Sequence, residues 1–112
     1  MDSEEAIEAL SALAQPTRLA VFRLLVRAGS EGVPAGDIAR EIGTPANTMS
    51  AHLTILERAG LITARRAGRT IFYALAADGL RALFGFLIAD CCAGRPDLCT
   101  PLTEPTACCE PA

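Results

Sequence analysis

Glycine and proline divide the first 60 residues of this chain into short segments, each with apolar residues at helical spacing. Proline is favoured at the first position of a helix and glycine just after the last, so this punctuation predicts where helices begin and end. The predicted helices cover residues 4–14 behind a cap at Ser3, Pro16 to Gly29, Pro34 to Gly43, and Pro45 to Gly60. The chain is therefore expected to be mainly α-helical in its first half.

The third and fourth predicted helices share a very short connection, which is typical of a helix-turn-helix. Gly43 lies at the turn, and the small Ala39 lies where the two helices would cross. Ile38, Ile42 and Met49 supply the expected contacts between them. The apolar side of the fourth helix is formed by Met49, Leu53 and Leu56.

After Gly60 the hydrophobic pattern changes from helical to strand-like. The stretches LITARRAG and RTIFYALA are rich in β-branched and aromatic residues, and a turn around Ala67 and Gly68 separates them. This pattern predicts a β-hairpin. Three arginines lie at and beside its tip, namely Arg65, Arg66 and Arg69.

A last helix is predicted with Asp78 as its cap. One side of it is formed by Leu80, Leu83, Phe84, Leu87, Ile88 and Cys91, and the other by Ala82, Gly85, Phe86 and Ala89. A helix that is apolar on both sides needs a packing partner on each side. We therefore expect it to lie between its own domain and a second copy of the chain.

The composition changes after Cys92 to Gly, Pro and Thr, so regular structure is predicted to end there. At 112 residues the chain has enough material for one domain. The expected organisation is a helix-turn-helix and dimerisation domain over residues 1–92, followed by a flexible tail over residues 93–112 that is rich in cysteine and proline.

The sequence has no apolar run of the roughly 18 to 20 residues that a bilayer span needs, and its acidic start differs from a signal peptide. We therefore expect a cytoplasmic protein with no membrane partner. The net charge is −3, but six arginines and three acidic residues lie between residues 40 and 81, which gives that segment +3. The basic charge thus falls in the predicted helix-turn-helix and hairpin.

A helix-turn-helix followed by an arginine-tipped hairpin is typical of a winged helix-turn-helix. Its second helix enters the major groove of double-stranded DNA, and its hairpin meets phosphates or the minor groove. The fourth helix carries short polar and small residues where a solvated helix usually carries Glu and Lys pairs. The residues expected to face DNA are Asn47, Thr48, Ser50, Ala51, Thr54, Arg65, Arg66 and Arg69.

The alternative is that this helix face and hairpin tip are an ordinary solvated surface. His52 is the only histidine of the chain. We expect it to pack against the helices or to hydrogen-bond a backbone group, with a direct DNA contact as the alternative.

Three stretches, LAQPTRLAVFRLLV, MSAHLTILERAGLI and RRAGRTIFYAL, resemble the ArsR/SmtB family of metal- and metalloid-sensing bacterial repressors. They occur in the family's order and spacing, and the resemblance covers about residues 5–92. It implies a homodimeric winged-helix repressor that binds operator DNA when free of ligand and leaves it when an inducer binds. It also implies that the first and last helices form the dimer interface.

All five cysteines follow residue 90, and a reducing cytosol would keep them as thiols. The best-known arsenic sensors of the family bind through a Cys-Val-Cys stretch, but the corresponding residues 34–39 contain no sulfur. The zinc sensors with Asp and His pairs on the last helix are not matched either, since that helix has no histidine. The chain instead resembles an arsenic-responsive subgroup, which implies Cys91, Cys92 and Cys99 as ligands.

Three thiolates without imidazole suit trivalent arsenic or antimony, whereas zinc prefers four ligands and accepts imidazole. As(III) is therefore the expected inducer, with Sb(III) as a second candidate, and no organic cofactor is expected. Cys108 and Cys109 can add sulfur to this site, form a second one or stay unused.

Three other interpretations use the same thiols: a sensor of methylated arsenicals, a sensor of Cd, Pb or Zn, and a thiol-redox sensor. Whether the site lies within one subunit or bridges two is left open by the sequence. An enzyme is not expected, because no P-loop and no environment that lowers a thiol pKa is visible.

Overall fold

The computed structural model describes residues 1–91, which form five helices and one three-stranded antiparallel sheet. The predicted mainly α fold with a β-hairpin wing is confirmed. The elements in chain order are α1 (Ser3–Leu13), α2 (Pro16–Ala28), β1 (Val33–Pro34), α3 (Ala35–Ile42), α4 (Ala46–Arg58), β2 (Ile62–Ala67), β3 (Thr70–Leu75) and α5 (Ala77–Cys91). The predicted tail over residues 93–112 lies outside the described residues.

The caps of α1 and α5 differ from the prediction. The cap of α1 is Asp2 rather than Ser3: the Asp2 carboxylate accepts from the Glu5 amide at 2.8 Å, and the Glu5 carboxylate accepts from the Asp2 amide at 3.0 Å. This reciprocal pair satisfies two amides that a serine cap one residue later would leave free. Asp78 does not cap α5, which begins at Ala77; its carboxylate pairs instead with Arg81 at 3.0 Å.

The sheet has the order β1-β3-β2, with β2 and β3 forming the predicted hairpin. The short strand β1 was not predicted. Its two residues pair with β3 in the register Val33 with Tyr73 and Pro34 with Phe72. Pro34 is therefore the last residue of β1 and the cap of α3, which begins at Ala35, one position after the start that the sequence suggested. In the same way α4 begins at Ala46, with Pro45 as its cap residue rather than its first residue.

The core is built from small residues of α1, larger aliphatic residues of α2 to α4, and residues of the sheet and α5. Alanines on α1 let α2 and α4 approach closely, since a side chain with no more than a methyl group leaves room for a neighbouring helix. The fully buried larger residues are Val21, Leu25, Ile38, Met49, Leu53, Leu56, Leu61, Ile62 and Leu83.

The start of α5 packs directly on the backbone at the end of α4. Gly79 is so close to Gly60 that an added Cβ would overlap the Gly60 carbonyl oxygen. Gly60 itself has φ +80°, a conformation that glycine adopts without strain. These two glycines fix where α5 leaves the domain.

Apolar side chains remain exposed on α1 and α5. On α5, Leu83 is buried and Phe86 packs against the core, whereas Phe84 is 57% exposed. Phe86 is thus on the core side, not on the side away from Leu83 that the sequence suggested. Ile7 on α1 is 65% exposed. Both helices therefore retain an apolar face that the domain itself does not cover.

No single helix within residues 1–91 is both long enough and apolar enough to cross a membrane. The helices α1 and α2 satisfy the length and composition criteria only when taken together, and they meet at an angle of 95°.

Candidate nucleic-acid interface

The helix-turn-helix consists of α3, a tight turn and α4. Gly43 ends α3 in the left-handed conformation, with φ 81° and ψ 33°. The amides of Gly43 and Thr44 both donate to the Ala39 carbonyl, at 2.9 and 3.0 Å. These bonds close the last turn of α3 and reverse the chain toward α4.

The helix α4 is amphipathic in the way the sequence predicts. Met49, Leu53 and Leu56 are buried in the core, so the opposite side of the helix faces outward. Four of the predicted DNA-facing residues are exposed on this helix, namely Asn47, Thr48, Ser50 and Ala51. The rigid attachment of the buried side holds this exposed surface in a fixed orientation.

Thr54 differs from these four residues. It is half-buried, and its hydroxyl donates to the Ser50 carbonyl at 3.0 Å, one turn back along the same helix. A hydroxyl that satisfies its own helix in this way is less available as a donor to another molecule.

The start of α4 has free backbone donors. The Met49 amide donates to the Pro45 carbonyl at 2.8 Å, so the amides of the three preceding helical residues have no carbonyl within the helix. No side chain caps this end. The amides and the helix dipole together favour a negatively charged group at this position.

The hairpin places its arginines on opposite faces. Arg65 pairs with Phe72 across the strands, and Arg66 pairs with Ile71, so their side chains alternate. Ile71 lines a cavity of about 120 Å³ with residues of α3 and α4, among them Ser50. Arg66 therefore lies on the face of the hairpin that is turned toward α4.

Arg65 is already engaged by the protein. Its guanidinium lies 4.7 Å from the centroid of the Phe72 ring, a cation–π distance, and it donates to the Glu31 carbonyl at 3.3 Å. Within the part of the chain that the structure describes, Arg66 and Arg69 have no hydrogen-bond or ion-pair partner, and both are exposed. The three arginines that the sequence grouped together thus have different surroundings.

His52 is half-buried on α4, and its partner is a side chain rather than a backbone group. Its Nδ1 lies 3.2 Å from a guanidinium nitrogen of Arg18 on α2. The same guanidinium donates through Nε to the Ala12 carbonyl at 2.6 Å.

The predicted metalloid ligands lie outside the described side chains. Cys91 is the last residue of α5, and Cys92, Cys99, Cys108 and Cys109 follow it. Among residues 1–89, whose side chains the structure describes, no three His, Cys, Asp or Glu side chains are grouped so that they could hold a metal ion.

The exposed face of α4, its free amides and the adjacent arginine hairpin together define a winged helix-turn-helix of the DNA-binding type. A family model described as a helix-turn-helix domain matches residues 13–65. The nodulation protein NolR of Rhizobium meliloti is 34% identical over 86 residues, which cover 77% of this chain and 68% of NolR.

Solved structures show the same architecture. One is the homodimeric winged helix-turn-helix domain of Mb0332 from Mycobacterium bovis, a possible ArsR-family transcriptional regulator. It has a TM-score of 0.63 at 31% identity, with 78% of this chain and 80% of that one covered. Another is a possible transcriptional regulator for arsenical resistance, with a TM-score of 0.65 at 29% identity, covering 87% and 98% of the two chains.

The chain belongs to the ArsR/SmtB family of winged-helix transcriptional regulators. The family resemblance read from the three sequence stretches is confirmed. Proteins of this class act by binding DNA and regulating transcription rather than by catalysis.

Proposed function

We propose that this protein is a homodimeric transcriptional repressor that binds operator DNA and releases it when As(III) binds its C-terminal cysteines. The observation that supports DNA binding most strongly is the exposed, polar and small-residue face at the start of α4. That face is held by buried residues of the same helix and lies beside an arginine-bearing hairpin.

Each part of this surface suits one part of a DNA duplex. Asn47, Thr48 and Ser50 carry hydrogen-bonding groups that can reach base edges in the major groove, and Ala51 can contact a thymine methyl group. The free amides at the start of α4 suit a phosphate. Arg66 and Arg69 suit backbone phosphates or the minor groove beside the helix.

Dimerisation is supported by the apolar faces of α1 and α5. Ile7 and Leu10 on α1, and Phe84 and Leu87 on α5, are exposed although they are large and apolar. Burial of such side chains contributes about 1.5–3 kcal/mol each, so a second copy that covers them would be stabilised. A dimer would present two α4 helices to successive turns of one duplex.

Arsenic sensing is supported by the chemistry of the thiols. As(III) is soft and bonds three thiolates, and the chain has three cysteines close in sequence at Cys91, Cys92 and Cys99. Neighbouring helical residues point about 100° apart, so Cys91 and Cys92 converge on one ion only if the helix opens at that end. Binding would therefore act on the end of a helix whose exposed face we assign to the dimer.

Release of DNA follows from this position. A change at the end of α5 would alter the relative orientation of the two subunits. The distance between their α4 helices would then change. Operator half-sites have a fixed spacing, so an altered separation loses contacts at both. A coupling that weakens operator affinity about 5- to 150-fold is typical of allosteric linkage.

The test measures operator binding by fluorescence anisotropy, with and without arsenite. We expect the wild-type protein to bind a specific duplex and to release it when arsenite is added. The variants Cys91→Ser, Cys92→Ser and Cys99→Ser should bind DNA as wild type but lose the release. A double variant, Cys108→Ser with Cys109→Ser, is the matched control and should still respond.

Two outcomes would contradict the proposal at different points. Failure to hold any specific duplex would refute the repressor itself. DNA binding with a full arsenite response in all three single variants would refute the cysteine assignment while leaving the repressor standing. X-ray absorption at the arsenic edge adds a direct count, and we expect three sulfur neighbours.

A further inference from the structure

One half-buried arginine side chain joins three helices of the domain. Arg18, in the first turns of α2, donates through Nε to the Ala12 carbonyl at 2.6 Å. Its NH1 lies 3.2 Å from Nδ1 of His52 on α4. The guanidinium thus lies between the C-terminal end of α1 and the helix that we assign to the major groove.

The backbone places Arg18 for this contact. Its amide donates to the side-chain oxygen of Gln15, the cap residue of α2, at 2.8 Å. Ala12 lies in the last turn of α1, where carbonyls have no amide partner within the helix. Arg18 therefore satisfies a carbonyl that the bend between α1 and α2 would otherwise leave free.

The donor and the acceptor in the contact between Arg18 and His52 can be assigned. A guanidinium has five N–H donors and no acceptor, so Nδ1 of His52 has to be the acceptor. Arg18 and His52 are both half-buried, and in such a setting a hydrogen bond from a charged donor is stronger than one at the surface.

We propose that Arg18 is a positioning residue for operator binding: it holds His52, and with it α4, in a fixed place against the end of α1. This inference rests on the proposed DNA-binding role and goes beyond it, because neither residue has to touch DNA. The exposed apolar face of α1 is part of the surface we assign to the dimer. Arg18 therefore connects the position of α4 to that surface.

The connection matters because the two α4 helices of a dimer have to match the spacing of two half-sites. If the Arg18 contact is lost, α4 remains packed through Met49, Leu53 and Leu56, but its polar tie to α1 is gone. Operator affinity should then fall while the fold persists. The expected loss is about tenfold, in the range found for pairs of residues that are directly coupled.

The experiment measures operator affinity at several salt concentrations for Arg18→Gln, for His52→Leu and for the double variant. Each single change should weaken binding about tenfold, and the double variant should be no worse than either, because one shared contact is removed. The salt dependence should be unchanged, since no phosphate contact is lost. A conservative variant, His52→Asn, keeps an acceptor near the Nδ1 position and should retain most of the affinity.

Arg23→Gln is the matched control, because Arg23 is an exposed arginine on the same helix. Thermal unfolding by circular dichroism shows whether each variant is folded at the temperature of the binding assay. If Arg18→Gln does not fold, the comparison of His52→Leu with His52→Asn tests the same contact from the other side.

Three results would overturn the inference. Wild-type affinity in Arg18→Gln would show that the contact is dispensable. Additive losses in the double variant would show that the two residues act separately. If the slope of log affinity against log salt concentration fell by about 0.9 in Arg18→Gln, Arg18 itself would be shown to neutralise a phosphate. If no variant, including the wild type, binds a specific duplex, the DNA-binding role fails rather than this assignment.

Discussion

Tyr73 lies in the central strand of the sheet, where burial raises the pKa of its phenol above the usual value, with a smaller contribution from the negative charge of Glu57. It is the only tyrosine, and the chain has no tryptophan. Ultraviolet absorbance of the phenolate therefore reports on this one residue.

The raised pKa predicts a loss of stability in alkali. An unfolded tyrosine titrates near pH 10, whereas the folded protein retains its proton to a higher pH. The free energy of unfolding should be unaffected by this group below about pH 10 and should fall as the pH rises above it. Denaturant unfolding at several pH values measures this, and Tyr73→Phe should show a smaller alkaline loss. A phenolate midpoint at or below 10 in the folded protein would contradict the prediction.

Substitutions of the three hairpin arginines should have different effects on DNA binding. Arg66→Ala and Arg69→Ala should each weaken operator binding. Each should also reduce the slope of log affinity against log salt concentration by about 0.9, because one phosphate contact is lost. Arg65→Ala should leave the salt dependence nearly unchanged, since its guanidinium is held by Phe72 and the Glu31 carbonyl. Equal slopes for all three variants would show that these surroundings do not matter.

The sequence could predict part of this distinction. Strand alternation alone places Arg65 and Arg66 on opposite faces of a hairpin. The contact to Glu31 could not be predicted, because it depends on the chain just before β1, and two residues of extended chain have no hydrophobic period to reveal them. His52 shows the same limit: its half-buried position was expected, but its partner lies 34 residues away in the sequence.

At the scale of elements, the helices were predictable wherever glycine or proline marked their ends. Gly43 and Gly60 have positive φ and end α3 and α4 as expected. Cap positions were less predictable, because Asp2 and Ser3 are both good cap residues and only the reciprocal bond with Glu5 selects Asp2. The faces of α5 were also misjudged at Phe86, since both sides of that helix are apolar.

The contact of α5 with the end of α4 gives a prediction at this scale. Gly79→Ala would place a methyl group against the Gly60 carbonyl, so either α5 shifts or the fold loses about 1–3 kcal/mol. The same substitution at Gly36 has room for its methyl group and should not destabilise the protein. Thermal unfolding of both variants measures the difference. Equal stability of the two would show that α5 is not fixed by this approach.

At the scale of the whole molecule, the uncovered faces of α1 and α5 predict a dimer that a single charge can separate. Phe84→Glu should leave the fold intact, because Phe84 is exposed in the monomer, but should shift sedimentation toward the monomer. Operator affinity should fall with it, since two half-sites can no longer be bound together.

Val26→Glu provides the control for this test. Val26 is exposed to a similar degree but lies on α2, which is not one of the two helices assigned to the dimer. It should sediment as wild type. A wild-type sedimentation profile for Phe84→Glu would place the dimer contact elsewhere.

The strand β1 passes into α3 without an intervening residue, and it is hydrogen-bonded to the central strand of the sheet. The wing and the helix-turn-helix are therefore one continuous unit. In the proposed dimer, base preference within a half-site is a property of that unit, and the distance between half-sites is a property of α1 and α5. In the proposed repressor, mutations in the first can thus retarget DNA binding to a new sequence without changing the proposed response to the inducer, so the two traits can evolve separately.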